Sequence, residues 1–181
     1  GVTEITTEHS PLHDAREWSR RQQGIPDLLI SAANEFKVRY TIETGYPPIQ
    51  LYGTTGQHWQ AAIIRHIPMR GACSCCVFPD ETLTPTRCAT AEVTIPNEEK
   101  RVDAALPFLS FAAGAMAAAE ILKLALPGFP FSPNLVLLNT NPMLRIVTVE
   151  KPILPGCVCR TRNTGVHHQM IAGTRFADLS A

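Results

Sequence analysis

Three cysteines stand within four residues in the stretch GACSCCVFPD, at Cys73, Cys75 and Cys76, and two more lie close together at Cys157 and Cys159. Thiols at this density constrain the fold strongly, because whatever they hold must join the middle of the chain to a point near its end. Cys73 and Cys76 have the C-x-x-C spacing that lets two thiolates reach one tetrahedral zinc from a tight turn; some eighty residues later Cys157 and Cys159 offer a second pair. Four sulfurs close a structural site and leave no open position for water or substrate, so zinc here would pin the chain and do no chemistry. The second pair is C-x-C, one residue tighter than usual. Cys75 is an extra thiol, and in place of Cys76 it would give two C-x-C arms. The alternatives are oxidised pairs or a fortuitous thiol-rich turn.

The redox compartment bears on that choice. The sequence opens GVTEITTEHS, without a charged leader followed by an apolar segment, so the cytoplasm is the expected location. Cytosolic cysteines are read as metal ligands or reactive thiols before disulfides. Sixteen basic residues balance sixteen acidic ones, and no cationic stripe is present, which argues against a nucleic-acid partner. The apolar stretch 106–126, LPFLSFAAGAMAAAEILKLAL, is broken by Pro107, Glu120 and Lys123, and it reads as a buried Ala-rich helix of a soluble domain, not as a membrane span. Its small residues, Ala112, Ala113, Gly114, Ala117 and Ala118, suit close helix packing, either within the domain or across a two-fold homodimer interface.

Alternation and β-branching predict a strand at 2–7, and a helix over HDAREWSRRQQG follows, ending at Gly24. DLLISAA, at 27–33, is a continuous apolar run of the kind a strand buried on both faces of a parallel sheet shows. Asn34 can cap a following helix, EFKVRYTIETG, ending at Gly45. Strand, helix, strand, helix is the crossover pattern of an open α/β sheet. After Pro47 and Pro48, IQLYGTTGQHWQAAIIRHIP predicts two strands around Gly53 and Gly56. A Pro/Thr-rich loop separates the cysteine segment from the long helix, and NLVLLNTNPMLRIVTVEK predicts a hairpin with its turn at 139–142. Trp59 is expected in the core, and Arg65 and His66 at a solvated strand end.

Cys88 stands apart in the loop TPTRCATAEV, next to Arg87. A nearby guanidinium favours thiolate over thiol, which a nucleophilic or persulfide-carrying cysteine needs, whereas a lone Cys is more often a small buried hydrophobe.

Taken in order, PDLLISAANEFKVRY, PPIQLYGTTGQHWQAAIIRH, GACSCCVFPDE, RCATAEV, AAGAMAAAEILKLALPG and PGCVC resemble the ThiF/MoeB/HesA family, the bacterial relatives of ubiquitin-activating enzymes. The resemblance runs from about Val2 to Cys159. It implies the later portion of an adenylation domain over 1–160. A nucleotide-binding part at about 1–46 and a zinc-containing remainder at about 47–160 would make up that portion, with a polar tail at 161–181. The implied fold is a Rossmann-like open sheet, partial at its N-terminal side, continuing into a smaller antiparallel sheet with the long helix and the four-cysteine zinc site. The implied chemistry is ATP-dependent adenylation of the C-terminal carboxylate of a ubiquitin-like or sulfur-carrier protein. Cys88 would then accept the acyl group or sulfur, and Cys73, Cys76, Cys157 and Cys159 would ligate zinc.

Three features differ from the family pattern. No G-x-G-x-x-G is present, so the sequence reads as starting partway through the nucleotide domain; ATP and magnesium are expected only with additional N-terminal sequence. Asn34 stands where the family has the aspartate that binds magnesium, and Asn brings an oxygen without the charge. Arg39, on the following helix, is a candidate to face the nucleotide, against the commoner reading of a solvated or paired helix arginine. The closing cysteine pair is C-x-C.

Overall fold

Leu28–Ser31 forms β1, and it sits beside β2, Ile49–Gly56, in parallel register with Leu28 opposite Ile49 and Ser31 opposite Tyr52. The computed structural model from which this is read describes residues 28–33, 36–45, 49–56, 59–67, 71–78, 92–93, 102–103, 106–126 and 133–161. Helix α1, Phe36–Gly45, lies between the two strands, so β1, α1 and β2 make the parallel crossover unit that the pattern predicts. The expected burial of β1 on both faces is not found. Among the described residues β1 pairs with β2 alone, at the edge of the sheet, and Ile30 is half exposed.

Gly56 closes β2, and the chain returns antiparallel as β3, Gln60–His66, with Gly56 opposite Gln60. On its far side β3 pairs with β6, Leu135–Asn139, which pairs in turn with β7, Arg145–Val149. The order is β1-β2-β3-β6-β7, one five-stranded sheet whose first pair is parallel and whose others are antiparallel. The parallel pair and the antiparallel strands into which it is expected to continue are parts of one sheet, because β2 is hydrogen-bonded on both edges. The boundary expected at 46 and 47 falls between two strands that pair directly. A separate two-residue ladder joins β4, Glu92–Val93, to β5, Val102–Asp103. The predicted elements at 2–7 and 13–24, and all but the first residue of the tail at 161–181, lie outside the described residues.

The two sheet faces alternate with period 2 and carry different helices. Ala62 and Ile64 of β3 join Tyr52, Leu135 and Ile42 of α1 in one cluster, while Ala61 packs against Leu109 and Ala113 on the opposite side. Those last two belong to α3, Pro107–Ala125, which begins with proline in its first turn, where a missing N–H costs nothing. A narrow stripe of α3, Leu109, Ala113, Ala117 and Glu120, faces the sheet. The sequence predicts the span of this helix and overstates its burial. Although the helix is long and apolar enough to cross a membrane, it lies across β2 and β3 and leaves Phe111 80% and Leu122 65% exposed.

Candidate metal centre

Each cysteine arm is a hydrogen-bonded turn. In the first, the carbonyl of Cys73 accepts from the N–H groups of Cys76, at 3.0 Å, and Val77, at 3.1 Å, starting the short helix α2, Ser74–Val77. The turn leaves the Sγ atoms of Cys73 and Cys76 3.8 Å apart. In the second, Gly156 adopts a left-handed φ of 79°, which glycine takes without strain, and Cys157 N–H donates to Leu154 O at 3.1 Å. The carbonyl of Cys157 then accepts from Arg160 N at 2.9 Å as the chain enters α4, Val158–Thr161.

The two arms meet sulfur to sulfur. Cys73 Sγ lies 3.5 Å from Cys157 Sγ, and Cys76 Sγ lies 3.6 Å from Cys159 Sγ. All four lie within 4.8 Å of one another. A tetrahedron of sulfurs about 2.3 Å from a central zinc has edges of roughly 3.8 Å, whereas a disulfide needs about 2.05 Å. The donor set is therefore spaced to hold a metal ion and not to form disulfide pairs. The C-x-C spacing of the second pair does not spoil the arrangement. Cys75 is buried in the same turn but lies outside the four-sulfur group, so Cys76 fills the position for which Cys75 was the alternative.

Without a cation three of the four thiols are held towards the protonated form. Burial pushes Cys157 up to about 12. Cys159 is raised by its bond to Cys73 and by burial. Cys73 is also raised: its bond to Cys159 favours the thiolate, but the bond to Cys75 and burial outweigh it. Cys76 goes the other way, because burial is more than offset by hydrogen bonds, first among them the Leu154 N–H at 3.4 Å. A divalent ion must therefore displace protons from at least the three raised thiols. Metal affinity should fall on the order of a thousandfold for each pH unit of acidification near neutrality, ten for each proton released. A zinc titration at two pH values with a competing chelator measures that slope.

Next to the cysteine turn lies a buried polar cluster that sequence reasoning misplaces. His66 Nδ1 donates to Gly71 O at 3.1 Å, and its Nε2 is 3.5 Å from Glu43 Oε2. Glu43 Oε1 accepts from Tyr52 Oη at 2.6 Å, and Tyr52 also bonds Gln50. Burial, then the neighbouring Glu43, holds the Tyr52 phenol well above its ordinary range. Arg65, on the opposite face, has Nη1 2.9 Å from Glu120 Oε2 of α3, and both side chains are about 5% exposed. The expected solvation of Arg65 and His66 is thus overturned, because their partners arrive from helices on either side of β3. Trp59 is corrected too: it sits 43% exposed at the β2–β3 turn with φ 61°, its ring 5.9 Å from that of Phe108.

Of the nucleotide candidates, Arg39 is buried. Its Nε donates to Ala33 O at 3.4 Å, and its guanidinium lies 5.4 Å over the ring of Phe78, so it braces the end of β1 against the cysteine turn. Asn34 and Cys88 lie outside the described residues. A groove of about 400 Å³ opens at the carboxyl end of β1, lined by Ile30, Ser31, Thr54, Ser110, Ala113 and Ala117, among others.

No protein-family model and no curated protein matches the chain. Solved structures do. The fold is similar to the crystal structure of E. coli MccB, with a TM-score of 0.52 and 11% identity, covering 88% of this chain and 45% of that one. It is also similar to E. coli MccB with ATP, with a TM-score of 0.50 and 12% identity, over 87% of this chain and 45% of that one. The chain thus spans less than half the length of MccB, and the likeness is one of fold.

Proposed function

We propose that this chain is the zinc-bearing later portion of a ThiF-like activating enzyme. In that reading a carrier protein's C-terminal carboxylate oxygen attacks the α-phosphorus of ATP, pyrophosphate leaves, and an acyl-adenylate forms. The thiolate of Cys88 then attacks the acyl carbon and AMP departs, leaving a thioester; sulfur transfer through the same residue is the other use of that thiol. A carboxylate is a poor electrophile, and AMP makes it a good one. The carrier would be a ubiquitin-like or sulfur-carrier protein. A cytoplasmic location and a two-fold dimer packed through α3 belong to the same reading.

The observation that carries the proposal is the four-sulfur cluster set on a fold like that of MccB, a protein whose structure is also solved with ATP. Zinc fits the all-thiolate donor set and would hold the arms together without entering the reaction. The groove beside β1 lies outside the carboxyl end of a parallel strand, where open α/β sheets bind ligands. Asn34 would belong to the ATP and magnesium side, and Arg39 would contribute by bracing the strand end. A non-catalytic relative that binds a partner through the same fold is the second reading. Arg39 favours it, since its guanidinium is occupied inside the protein.

One substitution separates the two. Joined to N-terminal sequence that completes the ATP site, and supplied with ATP, magnesium and the carrier, the enzyme should form a thiol-labile adduct that Cys88→Ala abolishes while carrier affinity stays within about twofold. Carrier binding without any adduct in the unsubstituted protein would sink the enzyme reading and leave the binding module.

A further inference from the structure

We infer that Asn134 is a positioning residue for the metal site: its side chain clasps the two cysteine arms together before any ion arrives. The inference rests on the reading of the four sulfurs as a metal site. Asn134 precedes β6, is 4% exposed, and is fixed by its own backbone, whose carbonyl accepts from Arg65 N at 2.8 Å and whose N–H donates to Glu150 Oε2 at 3.1 Å. Its amide then pairs with the backbone of Lys151 in both directions. Oδ1 accepts from Lys151 N at 2.8 Å, and Nδ2 donates to Lys151 O at 2.9 Å. An Asn amide can do this because it carries a donor and an acceptor side by side, imitating one rung of a β-ladder.

Lys151 begins the second arm. Three residues on, Leu154 donates its N–H to Cys76 Sγ at 3.4 Å and accepts from Cys157 N at 3.1 Å. The same amide also stands beside the approach to the first arm. A Cβ placed on Gly71, two residues before Cys73, would lie only 3.2 Å from Asn134 Nδ2. One buried side chain therefore bonds the start of the second arm and lies close beside the approach to the first, while its own backbone is tied to the end of β3. Fixing the path of the second arm in advance removes an ordering cost that metal binding would otherwise bear. The residue was not legible in the sequence, since its meaning depends on the backbone of Lys151 and on the closeness of Gly71.

The test is the zinc affinity of the full chain, measured by chelator competition well below the melting temperature and accompanied by melting of the metal-free protein. Asn134→Ala should weaken zinc binding about 10- to 100-fold, as substitutions behind a ligand shell do, with all four thiols still engaged. Asn134→Asp keeps the acceptor for Lys151 N–H and loses the donor, and should fall between. Gly71→Ala leaves Asn134 in place but displaces it by a few tenths of an ångström; it should weaken binding in the same direction and decides the matter if Asn134→Ala does not fold. A lower melting temperature with zinc affinity unchanged within about twofold would make Asn134 merely structural and overturn the inference. No zinc on the unsubstituted protein would overturn the metal reading, and this inference with it.

Discussion

Stripping the metal from this protein is expected to cost about 4 kcal/mol of stability wherever free zinc had stood a thousandfold above its dissociation constant. The loss should be local before it is global. Cys73, Cys76 and Cys159 are buried, and with Ala72 and Cys75 they form a cluster whose other neighbours are Ile153, Leu154, Cys157 and Val77. Without the ion that cluster is a small apolar core rich in thiols, while the β2–β3–β6 sheet retains its own aliphatic clusters. Cys73→Ser or Cys159→Ser should reproduce the loss, because each removes a soft ligand and leaves three. The measurement is thermal melting with and without chelator, beside hydrogen exchange at 151–161. Melting unchanged by both chelator and Cys73→Ser would mean that the four sulfurs hold nothing.

Glu120→Ala should be the most damaging single change outside the cysteines, at about 3–5 kcal/mol, because it strands the buried charge of Arg65. Lys123 Nζ also reaches Glu120, at 2.6 Å, but it is 40% exposed and can turn to water; Arg65 is buried, and its bond from Nη2 to the Pro133 carbonyl does not replace a carboxylate's charge. The contact between Arg65 and Glu120 is electrostatic, since Glu120 Oε2 makes no aligned hydrogen bond. A pair of that kind gives back little against its desolvation, so replacing both partners, Arg65→Met with Glu120→Leu, should restore most of the stability. Urea unfolding of the two single variants and the double variant completes the cycle. A double variant as unstable as Glu120→Ala would show that what Arg65 gives elsewhere, its bond to the Pro133 carbonyl included, outweighs the ion pair.

What the sequence displayed and what it hid divide along the range of the interactions. Local spacing exposed the two cysteine pairs, the α3 span and the β6–β7 hairpin, whose loop contains the Asn141–Pro142 bond. Each of those signals is complete within some twenty residues. Arg65 and His66 read as a solvated strand end because Glu120 and Glu43, which bury them, are contributed by helices on opposite sides of the sheet. Trp59 read as core because a large aromatic at the start of a strand usually is. The turn sends its backbone to positive φ, and Thr140, from the neighbouring hairpin, fixes its carbonyl through both N–H and Oγ1. The continuity of the sheet was hidden for the same reason, since β3 meets β6 only after the whole of α3 has intervened.

The distance along the chain between the two cysteine arms also sets an order of assembly. On the ribosome, β1, α1, β2 and β3 emerge with the Cys73 turn directly behind them, and this half can begin to pack while α3 is still being made. The first two sulfurs must then wait, exposed and only half able to hold an ion, until Cys157 and Cys159 leave the exit tunnel. Capture of a metal by all four sulfurs would therefore be a late event in the life of the nascent chain, and it would mark a chain translated at least as far as Cys159.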